Sequence, residues 1–260
     1  MAFFEMHYHS DALGIGVTVN VVLPERAKTL IGMAADGASE YRTLYLLHGL
    51  SDDHSIWMRR TSIERYAAER GIAVVMPSVG RSWYTDTAYG EKYLTFVSEE
   101  LPRACQGFFR GMSTRREDNF VAGLSMGGYG ALKVAITHPE SFGGCASLSG
   151  ALDIAKRDRA YLRQDIKWIF GEAVTSSSQL RDTEHDLFYL TRSLVEQGKP
   201  VPKIFLWCGD EDDLLGENRT YRELLEQLKL PHEYRESEGN HAWKWWDLHI
   251  QAAMDYLLEK

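Results

Sequence analysis

The chain carries a serine between two glycines at a spacing typical of a catalytic nucleophile. Residues 123–127 read GLSMG, a G-x-S-x-G motif that follows an apolar run and precedes a helical pattern. In this arrangement the serine occupies a sharp strand-to-helix turn, and the glycines let the turn approach its neighbours closely. Gly127, Gly128 and Gly130 each cost a helix about 1 kcal/mol relative to alanine, which indicates a need for close packing. We therefore predict that Ser125 is a nucleophile.

A serine nucleophile needs a base to accept its proton. Among nine histidines, His241 fits best, because it follows a predicted strand, lies in a loop opened by Gly239, and precedes the final helix. His249 falls within that helix and is interpreted as a packing or surface residue. His7 and His9 alternate along a strand, which favours an exposed strand face over a metal pair.

The base must in turn be oriented by a carboxylate. Four acids follow the apolar run KIFLWCG directly, and position alone does not separate them: Asp210, Glu211, Asp212 and Asp213. A calcium-binding loop starting at the first of them would need glycine and glutamate at positions that hold Leu215 and Tyr221, so it is excluded. One of these acids is expected to orient the histidine.

Ester hydrolysis also needs backbone N–H groups that stabilise the oxyanion, each worth about 3–4 kcal/mol. One is expected from Met126, the residue after the nucleophile, and the second from a loop after an earlier strand. The segment YLLHGLSDDHSIW supplies that loop, in which Gly49 lets the chain turn so that the Leu50 N–H faces the site. His48 is interpreted as a structural hydrogen-bonding residue.

Apolar runs alternate with helical patterns along the chain. Strands are predicted at residues 15–23, 41–49, 71–78, 119–125, 143–150, 203–209 and 232–237, helices at 62–70, 126–137, 218–229 and the C-terminus, and a loop at 34–40. In the last helix, Trp246, Ile250, Ala253 and Leu257 share one face. This pattern predicts an α/β fold with a mostly parallel sheet covered on both faces. In such sheets functional residues follow the carboxyl ends of the strands.

Composition excludes several classes of protein. With 260 residues, 44% hydrophobic and 25% charged, the chain is expected to form one domain over residues 1–260. A net charge of −8 without a basic patch argues against nucleic-acid binding. Three widely spaced cysteines without a CxxC pair argue against a disulfide framework or zinc ribbon. The N-terminus is unlike a signal peptide and no apolar run approaches 20 residues, so we expect a cytoplasmic protein without a membrane partner.

Taken together, five segments resemble one family. LLHGLSDDHSIW, SVGRSWYTDTAYGEKYLTFVSEELP, GLSMGGYGALK, CGDEDDLLGENR and GNHAWKWWD are similar to bacterial esterases of the tributyrin esterase and esterase D-like type, from about residue 5 to 258. These are α/β-hydrolases related to S-formylglutathione hydrolases, feruloyl esterases and mycolyltransferases. The resemblance implies Ser125 as nucleophile, His241 as base, Asp212 as acid, and the backbones of Leu50 and Met126 as oxyanion donors. Asp213 remains the alternative acid. It implies no metal or organic cofactor, and a homo-oligomer, either dimer or tetramer.

The substrate is less well defined by the sequence. Aromatic residues in SWYTDTAYGEKY, above all Trp83 and Tyr84, are candidate substrate-binding residues, since a similar stretch lies beside the active site in the family. Residues 151–200 form a polar insertion that we expect to be a small cap, with Trp168 against the substrate. We predict a small-molecule ester with an acetyl to butyryl group, such as an acetylated or feruloylated sugar.

Alternative activities remain open at this point. They are a glutathione thioesterase, an acyltransferase using the same residues, and a non-catalytic binding module. S-formylglutathione hydrolases resemble GLTC where this chain has GLSDDH, so the resemblance favours oxyesters over glutathione thioesters.

Overall fold

Eight apolar or alternating segments pair into a single sheet. The structure, a computed structural model, describes residues 1–25, 40–157 and 163–259. Most of the predicted loop at 34–40, and part of the predicted cap at 151–200, lie outside these residues. The strands are β1 (Ala2–Ser10), β2 (Ile15–Leu23), β3 (Thr43–Leu47), β4 (Ala73–Pro77), β5 (Asn119–Leu124), β6 (Gly144–Leu148), β7 (Lys203–Gly209) and β8 (His232–Ser237). Their order across the sheet is β1-β2-β4-β3-β5-β6-β7-β8.

Seven of these strands run in the same direction, and β2 runs opposite to them. Strand β1 pairs antiparallel with β2, which pairs antiparallel with β4, whereas all other neighbours are parallel. The parallel core strands β3 to β7 are almost wholly buried, as their continuous apolar sequences require. The edge strand β1 alternates between exposed and partly buried residues. The predicted mostly parallel sheet is therefore confirmed.

Helices cover both faces of the sheet. They are α1 (Ile56–Arg60), α2 (Ile63–Arg70), α3 (Tyr93–Thr95), α4 (Leu101–Phe108), α5 (Met126–Thr137), α6 (Arg163–Phe170), α7 (Leu187–Glu196), α8 (Leu215–Gln227) and α9 (Trp243–Leu258), with a π-helical segment (Phe96–Glu100) joining α3 to α4. Helix α5 begins and ends at the predicted residues. Over the three described ranges of the chain, none of the helices combines the length and apolar character needed to cross a membrane.

The core lies in two layers, one on each side of the sheet. Alternation along β3 sends Tyr45 and Leu47 to one layer and Leu44 and Leu46 to the other. Buried residues of α4, α5, α7 and α8 fill the first layer, and those of α1, α2 and α9 fill the second. The four residues predicted to share one face of α9 are all buried in this second layer.

The parallel strands bring the predicted site residues to one edge of the sheet. Strands β3, β5, β7 and β8 end at residues 47, 124, 209 and 237, a few residues before Leu50, Ser125, Asp212 and His241 respectively. Since parallel strands end at the same edge, four segments that are distant in sequence meet there.

Candidate active site

Ser125 lies in a strained turn between β5 and α5. Its backbone has φ 53° and ψ −116°, outside the regions that residues with a side chain ordinarily adopt. The Ser125 N–H donates to the Leu148 carbonyl at 3.0 Å, and the Ser125 carbonyl accepts from the Gly128 N–H at 3.0 Å. Such strain costs about 1–3 kcal/mol and persists only where surrounding structure holds it in place. The turn therefore projects the hydroxyl above the end of the sheet.

The glycines around Ser125 are needed for close packing, as the sequence predicts. A Cβ atom on Gly123 would come within 3.0 Å of the Gly127 backbone, closer than real Cβ atoms approach. A Cβ atom on Gly127 would meet the Leu47 carbonyl of β3 equally closely, and one on Gly130 would meet the Tyr84 ring. The turn and the start of α5 are thus packed directly against the neighbouring strand and loop.

A chain of hydrogen bonds joins the predicted nucleophile, base and acid. His241 Nε2 lies 3.0 Å from Ser125 Oγ, and His241 Nδ1 lies 2.9 Å from Asp212 Oδ2. With a proton on Nδ1, the imidazole donates to the carboxylate and its Nε2 is free to accept the serine proton. The His241 side chain is 38% exposed and that of Asp212 is fully buried. This arrangement can activate a hydroxyl for attack on a carbonyl carbon.

The carboxylate of Asp212 is buried but well supported. Burial by itself raises the pKa of Asp212, but hydrogen bonds and charge from His241, the Leu214 N–H and the Ser149 hydroxyl hold that pKa below its usual value. The Leu214 N–H donates to Asp212 Oδ1 at 2.9 Å. The group is therefore ionised at neutral pH, as orientation of a protonated histidine requires.

The other acids of this loop occupy different positions. Asp210 Oδ1 accepts a hydrogen bond from the Gly239 N–H at 3.1 Å, which ties the acid loop to the histidine loop. Asp213 is exposed and lines the cavity beside Ser125. Among these acids, Asp212 is the one within hydrogen-bond distance of His241.

Trp246 supports both His241 and the acid, a role that the sequence pattern did not indicate. Its ring meets the His241 ring edge-on, with centroids 4.9 Å apart. Its indole N–H donates to Ser149 Oγ at 3.1 Å, and Ser149 in turn hydrogen-bonds to Asp212. The helical pattern predicted that Trp246 is buried, but only the fold shows that it holds the imidazole in place.

The predicted oxyanion loop is held by His48. Its Nε2 accepts the Val79 N–H at 3.0 Å, so Nδ1 carries the proton and donates to the Gly49 carbonyl at 2.7 Å. Burial lowers the pKa of His48 to about 4, which keeps the ring neutral in this role. The Gly49 backbone lies against Leu124, where a Cβ atom would clash. The interpretation of His48 as a structural residue agrees with these contacts.

A small cavity of about 190 Å³ opens beside Ser125. It is lined by Leu50, Trp83, Ser125, Met126, Ala151, Arg157, Asp212, Asp213, Leu214 and His241. The structure thus brings both predicted oxyanion residues and one predicted aromatic residue to the nucleophile. Arg157, Ala151 and Leu214 were missed, because nothing in their local sequence distinguishes them from other loop residues.

Two predicted substrate-binding residues lie elsewhere. Tyr84 is fully buried, and its hydroxyl donates to the His48 carbonyl at 2.9 Å, so its position makes it a core residue that supports the oxyanion loop. Trp168 meets the Tyr93 ring edge-on at 6.3 Å and is not among the residues that line the cavity. The predicted cap at 151–200 contributes Arg157, and not Trp168, to the cavity wall.

Trp83, which lines the cavity, has a strained backbone conformation that residues of α5 hold in place. Trp83 and Tyr84 have φ values of 53° and 50°, and the Trp83 ring meets the Tyr129 ring edge-on at 5.6 Å. Thr85 Oγ1 donates to the Trp83 carbonyl at 3.0 Å and accepts from Lys133 Nζ at 2.6 Å. Burial lowers the pKa of Lys133 to about 7. Helix α5 therefore fixes the aromatic wall of the cavity as well as the nucleophile.

Several known proteins and one family model are similar to this chain. Residues 10–257 match the Esterase family model ("Putative esterase"). An acetyl esterase from Caldicellulosiruptor saccharolyticus is 30% identical, over 99% of this chain and 98% of its own. Staphylococcus aureus fluorophosphonate-binding serine hydrolase F, solved with substrate bound, is 34% identical with a TM-score of 0.85, covering 100% of this chain and 99% of that one. The S-formylglutathione hydrolase FrmB of Staphylococcus aureus is 32% identical with a TM-score of 0.86, covering 99% of each chain.

Proposed function

We propose that this chain, which belongs to the esterase family of α/β-hydrolases and is a serine ester hydrolase, cleaves short acyl esters through Ser125, His241 and Asp212. The family indicated by the five sequence segments is thus confirmed. The observation that carries the proposed mechanism is the continuous contact from Ser125 Oγ to His241 at 3.0 Å and from His241 to Asp212 at 2.9 Å. These distances are those that a nucleophile, its base and the orienting acid require.

In the first half of the reaction, Ser125 Oγ attacks the ester carbonyl carbon while His241 Nε2 accepts the hydroxyl proton. The carbonyl oxygen becomes an oxyanion, for which the backbone N–H groups of Leu50 and Met126 are the proposed donors. The oxyanion then collapses, the carbon–oxygen bond to the alcohol breaks, and the alcohol leaves with the proton from His241. The product is an acyl group on Ser125.

In the second half, water attacks the acyl-enzyme. His241 accepts a proton from the water, and the same backbone N–H groups receive the second oxyanion. Collapse releases the carboxylic acid and returns the proton to Ser125. The base must be neutral in both halves, so activity should fall at acidic pH, and a rate that stays flat down to pH 4 would contradict a histidine base.

The size of the cavity supports a substrate whose acyl group is as short as acetyl to butyryl. A volume of about 190 Å³ is small for an ester binding site, since pockets for drug-sized ligands span roughly 300–1,000 Å³. The relative from Caldicellulosiruptor saccharolyticus is an acetyl esterase. Should octanoyl esters exceed acetyl and butyryl esters by about tenfold in kcat/KM, the proposed limit on chain length would be wrong.

The decisive experiment compares the wild type with Ser125→Ala. Hydrolysis of p-nitrophenyl acetate and butyrate is measured, together with intact mass after reaction with a fluorophosphonate probe. We expect a loss of at least about a thousandfold in rate, with a single adduct on the wild type and none on the variant. Ser178→Ala, which changes an exposed serine, is the matched control and should be labelled like the wild type. Equal slow rates and no labelling of either protein would refute the proposal.

A glutathione thioesterase is the second candidate, because one similar structure is an S-formylglutathione hydrolase at 32% identity. The same three residues would attack a thioester carbonyl and release a thiol. Measuring kcat/KM for S-formylglutathione beside p-nitrophenyl acetate separates the two candidates. Adding an alcohol acceptor and identifying the products separates hydrolysis from acyl transfer.

A further inference from the structure

Arg157 places a buried positive charge on the wall of the catalytic cavity. The residue is 8% exposed and lines the cavity together with Ser125 and His241. One of its guanidinium nitrogens, Nη2, donates to Glu217. The Nε–H is buried and has no hydrogen-bond partner. No role in the ester cleavage described above uses this side chain.

An unpartnered donor on a buried guanidinium needs an explanation. A guanidinium has five N–H donors in a rigid fork, and Glu217, whose side chain is 9% exposed, is the partner seen for one of them. Buried donors are nearly always satisfied in folded proteins, and the exceptions are frequently functional. Because Arg157 borders the cavity that receives the ester, its guanidinium can donate a hydrogen bond to an oxygen of the substrate.

The charges around the cavity determine which kind of substrate oxygen can accept a hydrogen bond from Arg157. Asp212 and Asp213 line the same cavity, and Glu217 forms an ion pair with Arg157, although burial raises the pKa of Glu217 to about 7. A substrate carboxylate would add a further negative charge beside these acids, in a protein of net charge −8. An uncharged ether, carbonyl or hydroxyl oxygen accepts the hydrogen bond without that repulsion.

We propose that Arg157 is a substrate-binding residue that recognises an uncharged oxygen acceptor on the ester, close to the scissile bond. This inference rests on the proposed esterase function. The cavity of about 190 Å³ is small, so the recognised oxygen lies within a few bonds of the carbonyl attacked by Ser125. The substrate is therefore an oxygen-bearing ester, such as an alkoxyacyl ester or an ester of a polyol, and not a plain alkyl ester.

Two pairs of isosteric substrates test which side of the ester carries this oxygen. For the acyl side, p-nitrophenyl methoxyacetate is compared with p-nitrophenyl butyrate. For the alcohol side, 2-methoxyethyl acetate is compared with butyl acetate. Each ratio of kcat/KM is divided by the same ratio for hydroxide, which removes the intrinsic reactivity of the esters. The wild type should favour the oxygen-bearing member of one pair by about tenfold or more, as expected for a hydrogen bond from a charged donor.

Two variants test whether the guanidinium is needed for this preference, and the double variant removes it without leaving a buried charge unpaired. The double variant Arg157→Met/Glu217→Gln deletes both charges, and Glu217→Gln alone keeps the arginine. The preference for the oxygen-bearing ester, after division by the hydroxide ratio, should vanish in the double variant and persist in Glu217→Gln. Thermal unfolding and fluorophosphonate labelling confirm that each protein is folded. This substrate-specific loss would not follow from a purely structural role of the ion pair.

The outcomes separate this inference from the proposed function. A double variant that keeps the wild-type ratios overturns the role of Arg157, even though the protein is an active esterase. Faster cleavage of 4-acetoxybutanoate than of 2-methoxyethyl acetate would also overturn it, because the preferred group would then be an anion. If the wild type cleaves no ester and takes no probe, the proposed function fails first and this inference fails with it.

Discussion

Replacing Asp212 by asparagine tests the pairing of acid and base most sharply. The change keeps the shape of the side chain but removes the negative charge that lies 2.9 Å from His241 Nδ1. At that separation and an effective dielectric constant of about 20, the attraction between a carboxylate and an imidazolium is about 5–6 kcal/mol. Since each 1.36 kcal/mol is tenfold in rate, losing all of it would lower kcat by about 10⁴. The amide retains some hydrogen bonding, so we expect a fall in kcat of about 10²–10⁴.

Asp213→Asn is the matched control, because Asp213 lies one residue further on, lines the same cavity and is exposed. It should retain kcat within about fivefold, since screened surface charges are worth at most about 1 kcal/mol. Both variants are assayed with p-nitrophenyl acetate from pH 6 to 9, and their unfolding is measured in parallel. If Asp213→Asn proves the more damaged enzyme, the assignment of Asp212 as the orienting acid is refuted.

The remaining predictions concern the supports of the site. Lys133 has a folded-state pKa of about 7, below its unfolded value of 10.5, so the unfolded chain binds more protons between these values. From pH 7 to 10, the unfolding free energy of the wild type should therefore rise relative to that of Lys133→Met, by up to about 1.4 kcal/mol per pH unit. Urea denaturation measures both free energies, and an equal pH dependence in the two proteins would contradict the assigned burial of Lys133. Gly123→Ala should abolish fluorophosphonate labelling, because the added Cβ meets the Gly127 backbone within 3.0 Å. Gly216→Ala in α8, where a Cβ meets nothing within 4 Å, should instead stabilise the fold by up to about 1 kcal/mol, and equal labelling of both variants would show that the turn tolerates a side chain.

The parts of the site that follow directly from a strand could be predicted from sequence. Ser125 and His241 each sit at a junction whose local pattern is distinctive, a strand running into a glycine-rich helix start and a short loop before the last helix. By position alone the acid could be placed only within a run of four, since all four follow β7 directly, and it was the family resemblance that implied Asp212. What separates Asp212 from Asp213 is which side chain turns inward, and that depends on contacts with His241 and Ser149, which lie far from it in the sequence.

The residues that sequence reasoning misplaced depend on long-range packing. Tyr84 and Trp83 are adjacent in an aromatic-rich segment, yet one is a core residue and the other lines the cavity. Consecutive left-handed backbone conformations set this difference, and non-glycine residues adopt such conformations only when their surroundings hold them. The contacts that hold them come from Tyr129 and Lys133, more than 40 residues later in the chain. Arg157 was missed for the same reason, because its partner Glu217 is 60 residues away.

Helix α5 connects the chemistry to specificity. Its first residue is a proposed oxyanion donor, and its preceding turn holds the strained Ser125. One to two turns later, Tyr129 and Lys133 fix the loop that carries Trp83 onto the cavity wall. A shift of this helix would therefore move the nucleophile, the oxyanion donor and the aromatic wall together. Contacts that rigidify α5 should consequently act on kcat and on substrate preference at once, whereas Arg157, which belongs to the insertion between β6 and β7, can alter preference while the nucleophile stays in place.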